Sequence, residues 1–436
     1  MFFLRARSFL LAFVALVRPV VGQAVFAHFM NQNSYSYSQS DWENDIKSAQ
    51  AVGIDGFALN TAGLDYEPGK ISLAFAAAEE LSFNLFLSFD MSYTWTVDDI
   101  VSNITAYASS SSMYTWNDSV LVSTYTPSSE GATGVLYPND FYEEVKSNLE
   151  ANGTPVVFAP ALTYYRDPSI ASTLLTNFPS VDGFLNWWSW PDDVDANLTT
   201  ATDMAYQAVI DEQGKGPYIM GVSPWQFKDI SGDGSWVELS DTLWHYRWEQ
   251  VVNDVQPDMV EILTWNDYGE STYISEINTN VDLGTDAPNY VDGYNHSAWR
   301  EVAEYYIEYF KNGSAPEIDT DKVVFWYRTY PKNITCSGGQ TVQNSDFPVD
   351  AVFAMALLTE DAEVTVALGT GNSATTTATA GISMHTVAFP DEDEQIPYVA
   401  ITRNGETVAD GYGSLDFRIT DCTYYNFNPF VAIVSA

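Results

Sequence analysis

The chain is short of positive charge, of histidine, of sulfur and of long apolar runs, and each shortage closes off a class of function. Of 436 residues, 17 are Lys or Arg against 58 Asp or Glu, giving a formal net charge of −41 and a pI near 4.1. A surface of that sign repels nucleic acid and anionic membranes, and it also repels polyanionic polysaccharides such as pectate. A neutral partner is favoured. The four histidines, His28, His245, His296 and His385, are too dispersed for a metal-site motif, and no pair has helical HxxxH spacing, so no metal site is expected. No Ser nucleophile elbow is present. The segment Asp229 to Glu238 has the outline of a calcium loop, but Ser231 and Ser240 stand where ligands are needed, and it reads as a turn-rich loop.

The two cysteines, Cys336 and Cys422, both lie in the last quarter. In an oxidising compartment they close one long loop worth ~4 kcal/mol in the chain-entropy model; the alternative is two buried thiols. Residues 1–22 point to that compartment. Arg5 and Arg7 precede the apolar run Phe9 to Val17, and small residues follow up to Gly22, which is the pattern of a secretory signal peptide too short to span a bilayer. No later apolar run approaches membrane length. Seven N-x-S/T sequons, at Asn103, Asn117, Asn152, Asn197, Asn295, Asn312 and Asn333, agree with export.

What the chain does have is a regular alternation. Apolar runs of strand length occur at 24–29, 56–60, 84–90, 119–125, 155–161, 181–188, 217–222 and 259–265. Helical spacing lies between and after them, as in Trp42, Ile46 and Ala49, in Trp244, Trp248, Val251, Val252 and Val255, and in Trp299, Val302, Ala303, Tyr306 and Phe310. Eight strands alternating with helices predict a (β/α)8 TIM barrel over residues 23–317, whose active site belongs at the C-terminal ends of the strands. A doubly wound sheet is the structural alternative, but the glycine-rich phosphate loop that announces one is missing after the first strand. From 318 to 436 the runs are short and divided by Gly, Asn, Asp and Pro, which predicts a small antiparallel, β-sandwich-like domain packed on the barrel. Its candidate strands are 323–328, 351–358, 362–368, 385–389, 398–402 and 415–419.

Chemistry gathers where the barrel strands end. The last run closes on Trp265, Asn266, Asp267, Tyr268, Gly269 and Glu270, placing two carboxylates three residues apart beside aromatic faces. Hydrolysis of a glycosidic bond needs a proton donor, a carboxylate and a flat apolar surface for the sugar ring. His28, Asn60, Asp90, Tyr164, Trp187, Trp188 and Trp225 end other strands and complete a candidate cleft. Each has a plainer reading as core or as solvated surface, the tryptophans above all. Aromatic residues make up 15% of the chain, with 13 Trp and 27 Tyr, which suits sugar stacking as well as an ordinary core.

Four stretches together resemble glycoside hydrolase family 71, the fungal α-1,3-glucanases or mutanases. They are His28-Phe29-Met30, the segment from Asp41-Trp42-Glu43-Asn44-Asp45-Ile46 to Ala51-Val52-Gly53-Ile54-Asp55-Gly56-Phe57-Ala58-Leu59-Asn60, Phe86-Leu87-Ser88-Phe89-Asp90, and Trp265-Asn266-Asp267-Tyr268-Gly269-Glu270-Ser271. The resemblance implies a barrel with a C-terminal β-domain and endo-acting, inverting hydrolysis of cell-wall α-1,3-glucan without a cofactor. It implies Asp267 and Glu270 as the catalytic pair, with Asp90 as a third acid. Glu270 is assigned the general acid and Asp267 the base, ~6.5 to 9.5 Å apart if the enzyme inverts. A related hydrolase of another neutral glycan, such as an α-mannan, and a non-catalytic glucan-binding wall protein are the competing readings. No serine- and threonine-rich linker follows, so tight adhesion to insoluble glucan is not expected, and a monomer is.

Overall fold

The computed structural model describes residues 23–129, 136–232 and 234–436; the expected signal peptide lies outside the described residues. The described residues up to 312 build a curled parallel sheet with helices outside it. Its strands are β1 (Ala24–Met30), β2 (Gly56–Thr61), β3 (Asn84–Asp90), a short antiparallel β4 (Thr115–Trp116), β5 (Ser119–Thr126), β6 (Val156–Phe158), β7 (Ala161–Leu162), β8 (Phe184–Asn186) and β9 (Tyr218–Val222). A hairpin, β10 (Phe227–Ile230) and β11 (Gly234–Val237), precedes the last sheet strand, β12 (Met259–Ile262).

The hydrogen-bonded order runs β4-β5-β3-β2-β1-β12-β9-β8, with β6 and β7 on the far side of β5. The backbone N–H of Gly183 donates to Phe158 O, and that of Leu185 to Pro160 O, at 2.8 and 3.1 Å. These bonds bring β8 against the β6–β7 side of the sheet.

Period-two alternation explains why strands that read as continuously apolar carry polar residues. Phe26, Ala58, Phe86, Leu121, Ala159, Leu185, Ile219 and Met259 make one buried cluster inside the curl. Their neighbours Val25, Phe57, Leu87, Val122 and Val260 belong to a second cluster with the helices. His28, Ser88, Ser123 and Glu261 share the parity of the inner set, so they sit within the curl, buried, one layer nearer the C-terminal rim.

The helices follow their sequence signals. Thr96 caps Val97–Tyr107 by accepting from Asp99 N at 3.2 Å, while Asp99 Oδ2 accepts from Thr96 N at 3.1 Å. Trp299–Asn312 ends at Gly313, whose φ of 69° is the left-handed conformation that stops a helix. Among the described residues no helix is long and apolar enough to cross a membrane.

The remaining strands are β13 (Lys322–Tyr327), β14 (Ala351–Leu358), β15 (Ala362–Leu368), β16 (Asn372–Ala378), β17 (Gly381–Ala388), β18 (Tyr398–Arg403), β19 (Glu406–Tyr412) and β20 (Phe430–Ser435). They form two four-stranded antiparallel sheets, β17-β14-β13-β20 and β16-β15-β18-β19. One face of the first sheet meets the second around Val323, Phe325, Val364 and Ile401. Its other face, with Val324, Trp326, Phe353 and Met355, enters the same cluster as the helices of the curled sheet. The two parts therefore share a core across residue 318. Cys336 and Cys422 form the expected disulfide.

Two expectations need correction. Asp229 to Glu238 is hairpin and not loop, because Phe227 and Val237 are buried and anchor it. Leu415 to Ile419 is not a strand: Phe417 makes one isolated bridge to Gln395, while β19 takes the edge position. β19 escaped notice because its sequence, E-T-V-A-D-G-Y, buries one residue.

Candidate active site

The loop after β12 is fixed before it does any chemistry. Thr264 Oγ1 accepts from Asp267 N at 2.9 Å, Asp267 Oδ1 accepts from Glu270 N at 3.1 Å, and Tyr290 donates its hydroxyl to Gly269 O at 2.7 Å. Asn266, fully buried, clasps the end of β1: its Oδ1 accepts from Met30 N at 2.7 Å and its Nδ2 donates to Met30 O at 3.2 Å. The pair Asp267 and Glu270 is thereby tied to the rim of the sheet.

The two carboxyl groups have unlike surroundings. Burial, and next the nearby charge of Glu270, push the Asp267 pKa up to about 7, so this group holds a proton into neutral solution. Glu270 keeps 32% of its side chain exposed, and its oxygens meet donors from the hairpin, Lys228 Nζ at 3.1 Å and Gln226 Nε2 at 3.4 Å.

A second group continues the rim. His28 Nδ1–H donates to Glu261 Oε1 at 2.6 Å, both side chains fully buried. The His28 ring lies edge-on to Trp187 at 4.9 Å, and Trp187 lies the same way to Tyr125 at 4.9 Å. Tyr125 is in register with Asp90, whose Oδ1 accepts from Ser92 N at 2.9 Å. Asn60 accepts from Gln32 Nε2 at 2.9 Å at the end of β2. Trp188 is half-buried under the Arg166 guanidinium, 3.4 Å from its ring centroid, and Arg166 pairs with Asp192 at 2.8 Å.

Three predicted aromatic contacts do not reach the rim. Trp225 is buried, donates to Phe427 O at 3.0 Å and stacks near Trp299, so it joins the sheet to the C-terminal part. Trp265 is buried against Phe57 at 5.1 Å, on the helix side of the sheet. Tyr268 is buried and donates to Glu276 O at 3.0 Å. None of these rings has a face free for a sugar. Tyr164 is 44% exposed, edge-on to Tyr165, with no contact tying it to the carboxylate pair. Sequence reasoning missed Gln226, Lys228, Tyr125 and Glu261. A glutamate inside the apolar run Met259-Val260-Glu261-Ile262 was the available signal. Among the described residues no group of His, Cys, Asp and Glu is arranged to hold a metal ion.

Glycosidic-bond hydrolysis uses two carboxyl groups beside surfaces that accept a sugar, and two carboxyl groups stand together on this rim. The class is that of the glycoside hydrolases. Comparison with known proteins names the branch: the profile described as Glycosyl hydrolase family 71 matches residues 22–436, and the chain belongs to that family. A glucan endo-1,3-alpha-glucosidase of Schizosaccharomyces pombe is 34% identical, covering 97% of this chain and 98% of its own. A mutanase of Penicillium rubens is 33% identical, with 93% and 88% covered. An ascus wall endo-1,3-alpha-glucanase of Schizosaccharomyces pombe is 28% identical over 95% and 98%. Among solved structures, the GH99 endo-alpha-mannosidase of a Bacteroides species aligns over 66% of this chain and 97% of its own, with TM-score 0.47 and 11% identity.

Proposed function

We propose that the protein is a secreted, endo-acting hydrolase of α-1,3-glucan in fungal cell walls, working with inversion through Asp267 and Glu270. The observation that carries this reading is the pair itself, two carboxyl groups on one braced turn at the strand ends, with the pKa of Asp267 raised to about 7. Whole-length similarity to two named α-1,3-glucanases and a mutanase supports the substrate.

The surroundings favour reversing the roles expected from sequence. Asp267, protonated, is placed to give its proton to the leaving oxygen; Glu270, anionic beside Lys228, activates water on the other face of the sugar. Asp90, Asn60, Trp187 and Trp188 are proposed to line the substrate cleft, with His28 supporting Trp187 from below. The architecture we propose is a closed (β/α)8 barrel, supported by the bonds from β8 to Phe158 and Pro160, with a β-sandwich domain from residue 318 braced on it. Export as a monomeric glycoprotein, with no nucleic-acid or membrane partner, completes the proposal.

The test is incubation with insoluble α-1,3-glucan, reading products and their anomeric form by NMR. The β-anomer should appear first and mutarotate, and Glu270→Gln should release nothing. Binding without release by the wild-type protein would defeat the reading. Activity should also fall as pH rises through about 7, where Asp267 loses its proton.

A further inference from the structure

We propose that Lys228, on the β10–β11 hairpin and outside the acid–base pair, is a positioning residue that holds Glu270 as the anion facing the cleft. The inference rests on the glucanase reading above and adds to it a residue and a supporting element.

Lys228 lies opposite Trp236 across the hairpin, and its ammonium is 3.9 Å from that ring's centroid. Its side chain is 8% exposed. Burying a cation costs free energy unless it is paired, and here the ring face and Glu270 Oε1 share the charge. Residues 226 and 228 fall on one face of an extended chain, so Gln226 reaches the other carboxylate oxygen. Between them, Phe227 N donates to Glu270 O at 3.1 Å. Three consecutive residues thus fix both the backbone and the carboxylate of Glu270.

The hairpin is itself gripped by the C-terminal part. Tyr424 donates its hydroxyl to Asp229. Gln343 N donates to Ser235 O at 2.9 Å and its carbonyl accepts from Val237 N at 3.1 Å. The Cys336–Cys422 disulfide, with Ser337 N donating to Cys422 O at 2.9 Å, joins the segments that carry Gln343 and Tyr424. Among the described residues, the charged and titratable groups that bear on Lys228 and the Glu270 carboxylate include Asp267 and Tyr290, with Asp229, which accepts from Tyr424, next to Lys228 on its own strand.

Removing the cation should favour the protonated form of Asp267, since the Lys228 charge lowers the proton affinity of that group. In Lys228→Met, kcat on α-1,3-glucan should fall by ~10²-fold with KM little changed, as Glu270 loses its anchor, and the alkaline limb of the pH–rate profile should move to higher pH. Lys228→Arg should recover most of the rate and return that limb. A Lys228→Met enzyme with the wild-type profile, or one whose loss lies in KM alone, would overturn the proposal. Should that variant not fold, Lys228→Gln keeps the stem and a donor without the charge and carries the same readings. A wild-type protein that releases nothing from α-1,3-glucan sinks the glucanase reading, and this inference with it; an active wild type with an indifferent Lys228 sinks the inference alone.

Discussion

Two cation–carboxylate pairs in the same curled sheet have opposite designs. Arg247 and Asp203 are sealed, 0% and 1% exposed, between β9 and the helices Ala201–Glu212 and Leu243–Glu249. Four of the five guanidinium N–H groups are directed: two bonds go to Asp203, one to Gly221 O at 3.1 Å and one to Gln250. Asp203 accepts further from Asn186 and Tyr218, each at 2.8 Å. Lys228 and Glu270 make a single contact at 3.1 Å and leave the carboxylate one-third open. A fully bonded buried pair has no lone pair left to react, and a half-open one does. Saturation therefore separates the pair that holds the fold from the pair available for chemistry.

Breaking each pair should fail differently. Glu270→Gln should cost ~10³-fold or more in kcat, since an amide cannot serve as base, while thermal unfolding stays close to wild type. Arg247→Met should cost about 3–5 kcal/mol, because it leaves Asp203 charged and unpaired in the interior. Urea unfolding measures that loss, and the folded fraction should keep its KM. If Arg247→Met lowers kcat at unchanged stability, the contrast drawn here is wrong.

The same contrast explains what the sequence disclosed and what it hid. Strand runs such as Asn84–Asp90 were legible to the residue, because burial on both faces leaves an apolar run and a polar end. The two carboxylates stood out in the sequence because they follow directly on such a run. Lys228 did not: it lies on a four-residue hairpin strand whose partner is Trp236, and its meeting with Glu270 spans 42 residues of chain. The proposed acid–base roles have no sequence signal for a related reason. Order in the sequence carries no information on the surroundings that the fold gives Asp267 and Glu270.

Tryptophans were the weakest of the sequence expectations, and they allow a smaller test of rim against core. Trp225 ends a strand as Trp188 does, yet the first is sealed under Phe427 and the second lies under a guanidinium at the cleft. Trp225→Ala should cost about 3–5 kcal/mol of stability through the cavity it leaves. Trp188→Ala should change stability little and raise KM for α-1,3-glucan by about tenfold, the scale of one lost stacking face. Equal effects of the two on unfolding would place Trp188 in the core instead.

A separate effect, on the pH dependence of stability, concerns a carboxyl group that belongs to neither design. Glu238 is 8% exposed and accepts from Asp192 N at 2.5 Å, without a cation of its own. Burial pushes its pKa from 4.5 up to about 7. A carboxyl group raised on folding binds its proton more tightly in the native state. Its contribution is thus fully present below the unfolded value and is lost as pH rises through about 7. Glu238→Gln removes that dependence while keeping the acceptor for Asp192 N. Between pH 5 and pH 8 the variant should lose about 2 kcal/mol less than the wild type in urea unfolding. Asp45 and Asp241 are raised by burial to about 7 and about 6, so a downward slope must remain in the variant. A wild-type curve that is flat, or that rises with pH, would mean that Glu238 is ionised and paired in the folded chain, leaving Arg166, beside Asp192, as its nearest cation.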